Sequence, residues 1–421
     1  MGPSGRGRPR LFYGWVVVGA GLAIMTAVAG ISNVRGVFYK PILTDLGWGR
    51  GETALGFSMA GLMNGFFSPL MGALADRHGP RLVGIICGSV VLVGFLATSR
   101  MESFWQLVVF YGLIVGVGLS AMWAPMASMV ARWFEARRGF ALAVVQTGGG
   151  LGTVVMAPLA TSLILGSGWR MAYVVMGTAV GGIVLLAAQF YRASPQGMGL
   201  LPDGMYPDSV EVIPLERLEG AGEKSYSLRQ AVATGAFRHV ALAAAVGAFS
   251  HQLMLQHLVA NVIDQGINPK VAATLMSVMG LSNIVGKLIM GMISDHIGRK
   301  PSLLISLSMA AVMMFWLFLS RDLWMFYFFA AIFGWAYGSW IPMYPALVGD
   351  IFGLRAVGAI FGLVLTANFV GGFFGGLLPG YIYDVTGGYG PAFLLAGVLL
   401  LVGVVSVLTL KAPKGAGAGY E

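Results

Sequence analysis

The segment Gly72-Ala-Leu-Ala-Asp76-Arg77-His-Gly79-Pro-Arg81 is repeated later in the chain as Gly291-Met-Ile-Ser-Asp295-His296-Ile-Gly298-Arg299-Lys300. The offset between the two segments is constant, because 291 − 72, 295 − 76 and 298 − 79 all equal 219. Gly139 and Gly358 show the same offset. Two separate matches in register predict a chain that is built from two related halves.

The composition of the 421-residue chain is that of an integral membrane protein. Hydrophobic residues make up 57% and charged residues 10% of the sequence, and the mean hydropathy is +0.80. Soluble domains carry about 25% charged residues, so this chain has too few of them to cover a water-facing surface.

Apolar runs along the chain give the number of membrane helices. A helix needs roughly 20 apolar residues to cross the hydrocarbon core. Twelve such runs are predicted, at about 14–38, 52–74, 81–99, 104–130, 139–165, 169–192, 230–262, 271–293, 301–320, 322–347, 355–380 and 390–410. We therefore predict an all-α integral membrane protein with twelve transmembrane helices in two pseudo-symmetric six-helix bundles.

The one long polar stretch, residues 193–227, is predicted to be a cytoplasmic linker. It would join an N-terminal half, residues 1–192, to a C-terminal half, residues 228–421. Lys and Arg concentrate in the loops on the side of both termini, so the positive-inside rule predicts cytoplasmic termini in a cell (inner) membrane. The net charge of +9 therefore reflects topology, and no nucleic-acid partner is expected.

The two repeated loops resemble the signature loop of the major facilitator superfamily, which lies between its second and third helices. The resemblance implies a fold of two six-helix bundles, with the solute site between them near the bilayer midplane. An Asp can cap a helix end and pair with Arg. Five residues are therefore expected to form a conformational latch without contacting substrate: Asp76, Arg77, Arg81, Asp295 and Arg299.

Two further segments narrow the resemblance. Tyr13-Gly-Trp-Val-Val-Val18 and Arg132-Trp-Phe-Glu-Ala-Arg-Arg-Gly-Phe-Ala-Leu-Ala143 are similar to signatures of the monocarboxylate transporter family and of its bacterial oxalate/formate antiporter-like branch. The similarity extends over nearly the whole chain. It implies transport of small organic anions such as lactate, pyruvate or formate, commonly with a proton.

Lys287 is predicted to lie mid-way along the eighth helix, where a charge is costly and therefore indicates function. Asn283 lies one turn earlier on the same face. The position of Lys287 resembles the one where the family carries its substrate-binding arginine, and Lys offers a carboxylate a point charge without a bidentate fork. We expect both residues to bind substrate and Lys287 to be a candidate for proton coupling. The alternative is a lysine that snorkels to the membrane interface.

Two other helices carry ionisable candidates. Arg35, near the outer end of the first helix, is expected to attract anions into the cavity, unless it snorkels to the outer headgroups. His257 resembles a family position near the substrate, and a histidine can take up a proton near neutral pH. We expect His257 to bind substrate and to couple proton movement. His251 lies about 120° away on the same helix, and a packing or hydrogen-bonding role is expected for it.

Trp123 and Tyr337 are expected to shape an apolar pocket with a polar rim, although packing is the commoner fate of such residues. No Asp or Glu lies deep in a predicted span, which disfavours cation transport. The single cysteine, Cys87, excludes a disulfide framework, and no Cys/His spacing is typical of a metal site. We expect no cofactor, no metal and no enzymatic activity.

The sequence thus predicts a secondary active transporter of small organic monocarboxylates (lactate/pyruvate-like), most simply a proton symporter that works by alternating access. One alternative is a proton-independent organic anion exchanger of the oxalate/formate type, and another is a non-transporting membrane sensor. The expected partners are a small carboxylate anion, a proton and the lipid bilayer, with no obligate protein partner.

Overall fold

The computed structural model describes residues 12–120, 124–134, 137–204, 226–353 and 356–411. Helices account for nearly all of these residues. In chain order they are α1 Tyr13–Asn33, α2 Arg35–Leu46, α3 Arg50–His78, α4 Pro80–Thr98, α5 Phe104–Gln106, a π-helix Leu107–Val115, α6 Gly116–Leu119, α7 Ala124–Trp133, α8 Arg138–Ala188, α9 Leu228–Ala233, α10 Gly235–Asp264, α11 Pro269–Ile297, α12 Arg299–Leu319, α13 Leu323–Trp340, α14 Met343–Phe352, α15 Val357–Thr386 and α16 Gly390–Leu408.

These helices form twelve membrane-crossing segments within the described ranges. Three segments are each made of consecutive helices: α1 with α2, α5 to α7, and α13 with α14. In contrast, α8 supplies two segments, because Gly168 has φ 79° and turns the chain between its two arms. Seven helical stretches of the described part are long and apolar enough to cross a membrane when each is judged alone.

Each of the two repeated loops has a glycine at a position where the backbone ends a helix with a positive φ. α3 ends at Gly79 with φ 85°, and α11 ends at Gly298 with φ 89°. In each case the glycine N–H donates to a carbonyl four residues earlier, at 2.9 Å from Ala75 and 3.1 Å from Ser294. A residue with a Cβ adopts such a positive φ only at a cost, so the sequence repeat marks the same helix end twice.

The positions of the two loops allow two opposite sides of the molecule to be defined. We call the side that carries Gly79 and Gly298 the motif side, and the opposite side, where α3 begins at Arg50 and α11 begins at Pro269, the far side. α10 ends on the far side at Asp264, and α13 begins there at Leu323.

The halves approach each other closely where glycines face glycines. A Cβ on Gly150 of α8 would lie 2.7 Å from the carbonyl oxygen of Gly280 in α11, and a Cβ on Gly280 would lie 2.8 Å from that of Gly150. Small residues at such positions let helix backbones touch, which is how membrane helices pack without a hydrophobic driving force. The contact holds α8 of one half against α11 of the other.

Candidate functional site

Four polar side chains lie at one depth in the molecule. Asn64 in α3, Asn283 in α11 and Tyr337 in α13 are each 14 residues from the far-side end of their helix, because 64 − 50, 283 − 269 and 337 − 323 all equal 14. His251 in α10 is 13 residues from its far-side end, since 264 − 251 equals 13. At 1.5 Å per residue, all four lie about 20 Å from the far side. We call these four residues the polar layer.

The polar layer contains atoms that lack hydrogen-bond partners. The rings of His251 and Tyr337 stack, with centroids 3.5 Å apart and planes inclined by 12°. Among the described residues, Asn64 Oδ1, His251 Nε2 and Asn283 Nδ2 are buried without a hydrogen-bond partner. An unpartnered buried polar atom costs about 1–3 kcal/mol. Three of them lie at one depth, which makes the polar layer a candidate site for a polar ligand.

Arg35 brings a positive charge to the far-side edge of the polar layer. It is the first residue of α2, after the helix break at Val34, and is only 7% exposed. Its Nε donates to the carbonyl of Ser32 at 2.7 Å and its Nη1 to the carbonyl of Phe57 at 3.3 Å.

Lys287 brings a second positive charge from the motif side of the layer. It is half-buried, one turn beyond Asn283, and its Nζ donates to the backbone carbonyl of Gln146 in α8 at 3.3 Å. Within the described ranges, neither Lys287 nor Arg35 forms an ion pair with a carboxylate. A cation at membrane depth is costly when no anion accompanies it, so the arrangement favours the binding of an anion.

Ion pairs close the far side between the halves. Asp264 at the end of α10 accepts from Lys40 Nζ and from Arg50 Nη2, both at 2.6 Å. Asp384 in α15 accepts from the backbone N–H groups of Arg50 and Gly51, at 3.0 and 2.7 Å. These N–H groups are in the first turn of α3, where helices bind negative charge. We call Lys40, Arg50, Asp264 and Asp384 the far-side gate.

His257 adjoins the far-side gate and is fully buried there. Its Nε2 lies 2.7 Å from the carbonyl of Gly376, and its Nδ1 lies 3.2 Å from the hydroxyl of Tyr389. A carbonyl only accepts, so Nε2 carries the proton. Arg50 Nη1 donates to the same hydroxyl at 2.7 Å, so the Tyr389 hydroxyl accepts from Arg50 and donates to His257 Nδ1.

The motif side and the far side differ in the polar contacts that join the two halves. Among the described residues, hydrogen bonds and ion pairs between the halves extend from the far-side gate to the depth of Lys287. Beyond that depth no further hydrogen bond or ion pair between the halves is found in the described part. The described polar contacts therefore join the halves from the far side to the depth of Lys287.

One family model matches most of the chain. The model described as Major Facilitator Superfamily matches residues 20–259 and 232–419. The chain belongs to the Major Facilitator Superfamily. This membership and the helix arrangement confirm the predicted fold class of twelve transmembrane helices in two pseudo-symmetric bundles.

Relatives within the superfamily agree with the resemblance seen in the sequence. Monocarboxylate transporter 13 of Rattus norvegicus is 26% identical over 400 residues, which cover 94% of this chain and 89% of the relative. Monocarboxylate transporter 11 of Homo sapiens is 26% identical over 413 residues, covering 96% and 84%. The resemblance to the monocarboxylate transporter family is thereby confirmed.

A solved structure shares the fold. The crystal structure of a bacterial homologue of the human lysosomal transporter Spinster, in an inward-facing and unoccupied conformation, matches with a TM-score of 0.66. The two chains are 17% identical, and the match covers 94% of this chain and 95% of the other. At this identity the likeness shows the superfamily fold alone.

The structure brings several of the predicted site residues together. Asn283 and Tyr337 lie in the polar layer, with Arg35 and Lys287 at its two edges. Trp123 lies outside the described residues.

The two histidines of α10 lie at different depths in the molecule. The sequence predicts His257 at the substrate, and this contact stays a prediction; the structure places His257 beside the far-side gate, seven residues before Asp264. A packing role is expected for His251, and its stacking on Tyr337 agrees with that in part. Its unpartnered Nε2 nevertheless lies in the polar layer. The end of α10 at Asp264 brings His257 to the contact between the halves, where its ring packs against that of Tyr39.

The predicted latch residues lie on the motif side. Arg81 Nε and Nη2 donate to Gln189 Oε1 at 3.1 and 2.5 Å, and thereby join α4 to the end of α8. Arg299 Nη1 donates to Ser294 Oγ. Arg77 is exposed, and the side chains of Asp76 and Asp295 lie outside the described part. The latch stays a prediction.

Sequence reasoning did not single out Asn64, which lies in the polar layer. An uncharged amide inside the 29-residue helix α3 gives no signal comparable to that of a buried charge. The repeat offset could have identified it, because 283 − 64 equals 219 and Asn64 is therefore the counterpart of Asn283.

Proposed function

We propose that this superfamily member is a secondary active transporter of small organic monocarboxylates, with lactate-like and pyruvate-like anions as substrates. The proposal rests on the pair of cations, Arg35 and Lys287, on either side of the polar layer without a carboxylate partner in the described ranges. An anion in the layer lies between them. The names of the monocarboxylate transporters that the chain resembles support the same substrate class.

Alternating access follows from the way the halves meet. The far-side gate is closed, and the described hydrogen bonds and ion pairs between the halves end at the depth of Lys287, so we propose that an anion in the polar layer reaches the motif side. Rocking of the halves about this layer would open the other side. We propose that the motif side is cytoplasmic, as the positive-inside rule predicts. The structure then corresponds to an inward-facing state in a cell membrane.

Proton symport is the simplest coupling. Movement of an anion together with a proton carries no net charge through the membrane core, where charge movement is costly. Two groups are candidates to carry the proton: Lys287 at the polar layer and His257 beside the far-side gate. Their separate places suggest separate steps, with the gate histidine on the route from the far side.

Uptake of labelled L-lactate into proteoliposomes tests this function. An inward proton gradient is expected to raise the initial rate several-fold over that at equal pH, and a protonophore should remove the increase. Protein-free liposomes are the control. Counterflow that persists at equal pH without stimulation by a gradient would favour the anion exchanger. Absence of uptake and counterflow, with retained lactate binding, would favour the non-transporting sensor.

A further inference from the structure

We propose that Tyr389 couples the protonation of His257 to the far-side gate, so that acid on the far side opens the gate. Tyr389 acts as a positioning residue, because its hydroxyl lies between the imidazole of His257 and the guanidinium of Arg50. This inference rests on the proposed function, since it names the residues through which the coupled proton acts on the gate before substrate binds. It assigns a role to Tyr389, which the sequence does not single out.

The hydroxyl of Tyr389 joins the two groups in one chain of hydrogen bonds. It accepts from Arg50 Nη1 at 2.7 Å and donates to His257 Nδ1, which lies 3.2 Å away. His257 Nε2 donates in turn to the carbonyl of Gly376 at 2.7 Å. Tyr389 is 2% exposed and His257 is fully buried, so water does not compete for these bonds. The chain crosses between the halves at the bond from Arg50 to Tyr389.

The neutral form of His257 is the one that fits this chain. In that form Nδ1 accepts a hydrogen bond from the hydroxyl, whereas in the imidazolium form both ring nitrogens donate. The hydroxyl would then meet two donors, Arg50 Nη1 and His257 Nδ1, and would have to turn its own proton away from the histidine. Protonation therefore breaks the order of donors and acceptors that joins the halves at this point.

The charges of the far-side gate balance while the ring is neutral. The gate contains two cations, Lys40 and Arg50, and two anions, Asp264 and Asp384. Asp264 accepts from both cations, and Asp384 accepts from backbone N–H groups of α3. An imidazolium at His257 would add a third positive charge without a further anion. Such a charge is costly where water is excluded, so it destabilises the closed gate.

The other titratable side chains near the ring do not supply a balancing charge. The ring of Tyr39 in α2 meets that of His257 edge-on, with centroids 4.9 Å apart, and its hydroxyl donates to the carbonyl of Arg50. Tyr383 in α15 faces the Arg50 guanidinium with its ring, 3.6 Å from the centroid. Phenols are neutral at physiological pH. Glu52 in α3 is exposed to water, where its charge is screened.

Opening of the gate removes both penalties on the protonated ring. In the far-side-open state water reaches His257 and solvates an imidazolium, and Arg50 has left the hydroxyl of Tyr389. The proton therefore binds the open state more tightly than the closed state. By linkage, the same preference raises the population of the open state as the pH falls.

The test measures the distance between two spin labels on the far side by pulsed electron spin resonance, in lipid nanodiscs without substrate. The labels are attached through Glu102→Cys, after the far-side end of α4, and Lys270→Cys at the start of α11, two exposed positions in different halves. Cys87→Ser removes the native thiol. A histidine in water takes up its proton between about pH 7.5 and about pH 5.5. Over this range the ratio of open to closed gates in the labelled parent should rise at least about fivefold.

Two variants of the labelled parent remove the coupling in different ways. His257→Gln keeps a donor and an acceptor but takes up no proton, so its ratio should change less than about twofold with pH. Tyr389→Phe keeps the ring and loses the hydroxyl, and its ratio should also change less than about twofold. The matched control is Tyr383→Phe, which keeps the ring that faces Arg50 and leaves the hydroxyl of Tyr389 in place. It should retain the response of the parent.

The outcomes separate this inference from the function on which it rests. A parent without a pH response, or a full response in either His257→Gln or Tyr389→Phe, would overturn the inference. Loss of the response in Tyr383→Phe would overturn the role of the Tyr389 hydroxyl. Proton-driven lactate uptake by a protein with a pH-independent gate would leave the proposed function standing. A gate that responds as expected in a protein without lactate uptake would overturn the proposed function and leave the coupling through Tyr389 standing.

Discussion

Lys287→Ala is expected to abolish most of the L-lactate uptake. Truncation of one partner of a buried charge pair costs about 2 kcal/mol or more, which corresponds to a loss of about 30-fold in affinity. Lys287 lies at the motif-side edge of the polar layer, one turn from Asn283, and has no carboxylate partner in the described part. The bound anion would be that partner, so its affinity depends on the lysine charge. Initial uptake rates over a range of lactate concentrations measure the effect.

The same helix provides the control for this variant. Lys270 is the second residue of α11 and is exposed on the far side, and Lys270→Ala should change uptake little. Lys287→Arg keeps the charge and adds a planar bidentate fork, so uptake should persist and planar monocarboxylates should bind more tightly. Full activity of Lys287→Ala would exclude Lys287 from the site.

Arg50→Ala is expected to open the far-side gate. Arg50 is 8% exposed, pairs with Asp264, donates to Tyr389 and lies over the ring of Tyr383, 3.6 Å from its centroid. Removal of a buried, hydrogen-bonded charge costs about 2 kcal/mol or more. That cost falls on the closed state alone, so the far-side-open state should gain about 30-fold in population.

Cysteine labelling can measure this shift, because Cys87 is the only cysteine in the sequence and can be replaced by serine. In that background, Ser58→Cys places a thiol at a site that is 1% exposed and faces Gly376 behind the gate. A membrane-impermeant thiol reagent added from the far side should label it slowly, and about 30-fold faster after Arg50→Ala.

Arg170 is a matched control for Arg50. It also pairs with an aspartate, Asp45, and lies 4.2 Å from the ring centroid of Trp169, but all three residues belong to one half. Arg170→Ala should therefore leave the labelling rate of Ser58→Cys near that of the parent. Equal labelling in the Arg50 and Arg170 variants would show that Arg50 does not hold the halves together.

Much of the fold could be predicted from the sequence because the signals are local. The glycines of the repeat mark helix ends that need a positive φ, and Gly79 and Gly298 have that conformation. The face of α11 that carries Asn283 and Lys287 could also be predicted, because its signal is local too. A spacing of four residues fixes the relation of Asn283 to Lys287 on any helix.

Which residues of one half pair with residues of the other half could not be predicted from such local signals. Asp45 and Asp264 show the repeat offset, since 264 − 45 equals 219, but Asp45 pairs within its half and Asp264 pairs across the gate. The positions of His251 and His257 relative to the gate could not be predicted for the same reason. Which histidine reaches the gate depends on how α10 docks against the other half, and helix periodicity carries no such information.

The cations beside the polar layer are proposed to bind the negative charge of a small monocarboxylate, and a pair of matched ligands tests this most directly. The measurement is a calorimetric titration of the purified wild type with L-lactate and, in parallel, with lactamide, which keeps the 2-hydroxy group and has no charge. We expect saturable binding of lactate at one site per chain and at least about tenfold weaker binding of lactamide. Equal affinities for the two compounds, or no binding of lactate, would contradict the proposed role of the cations.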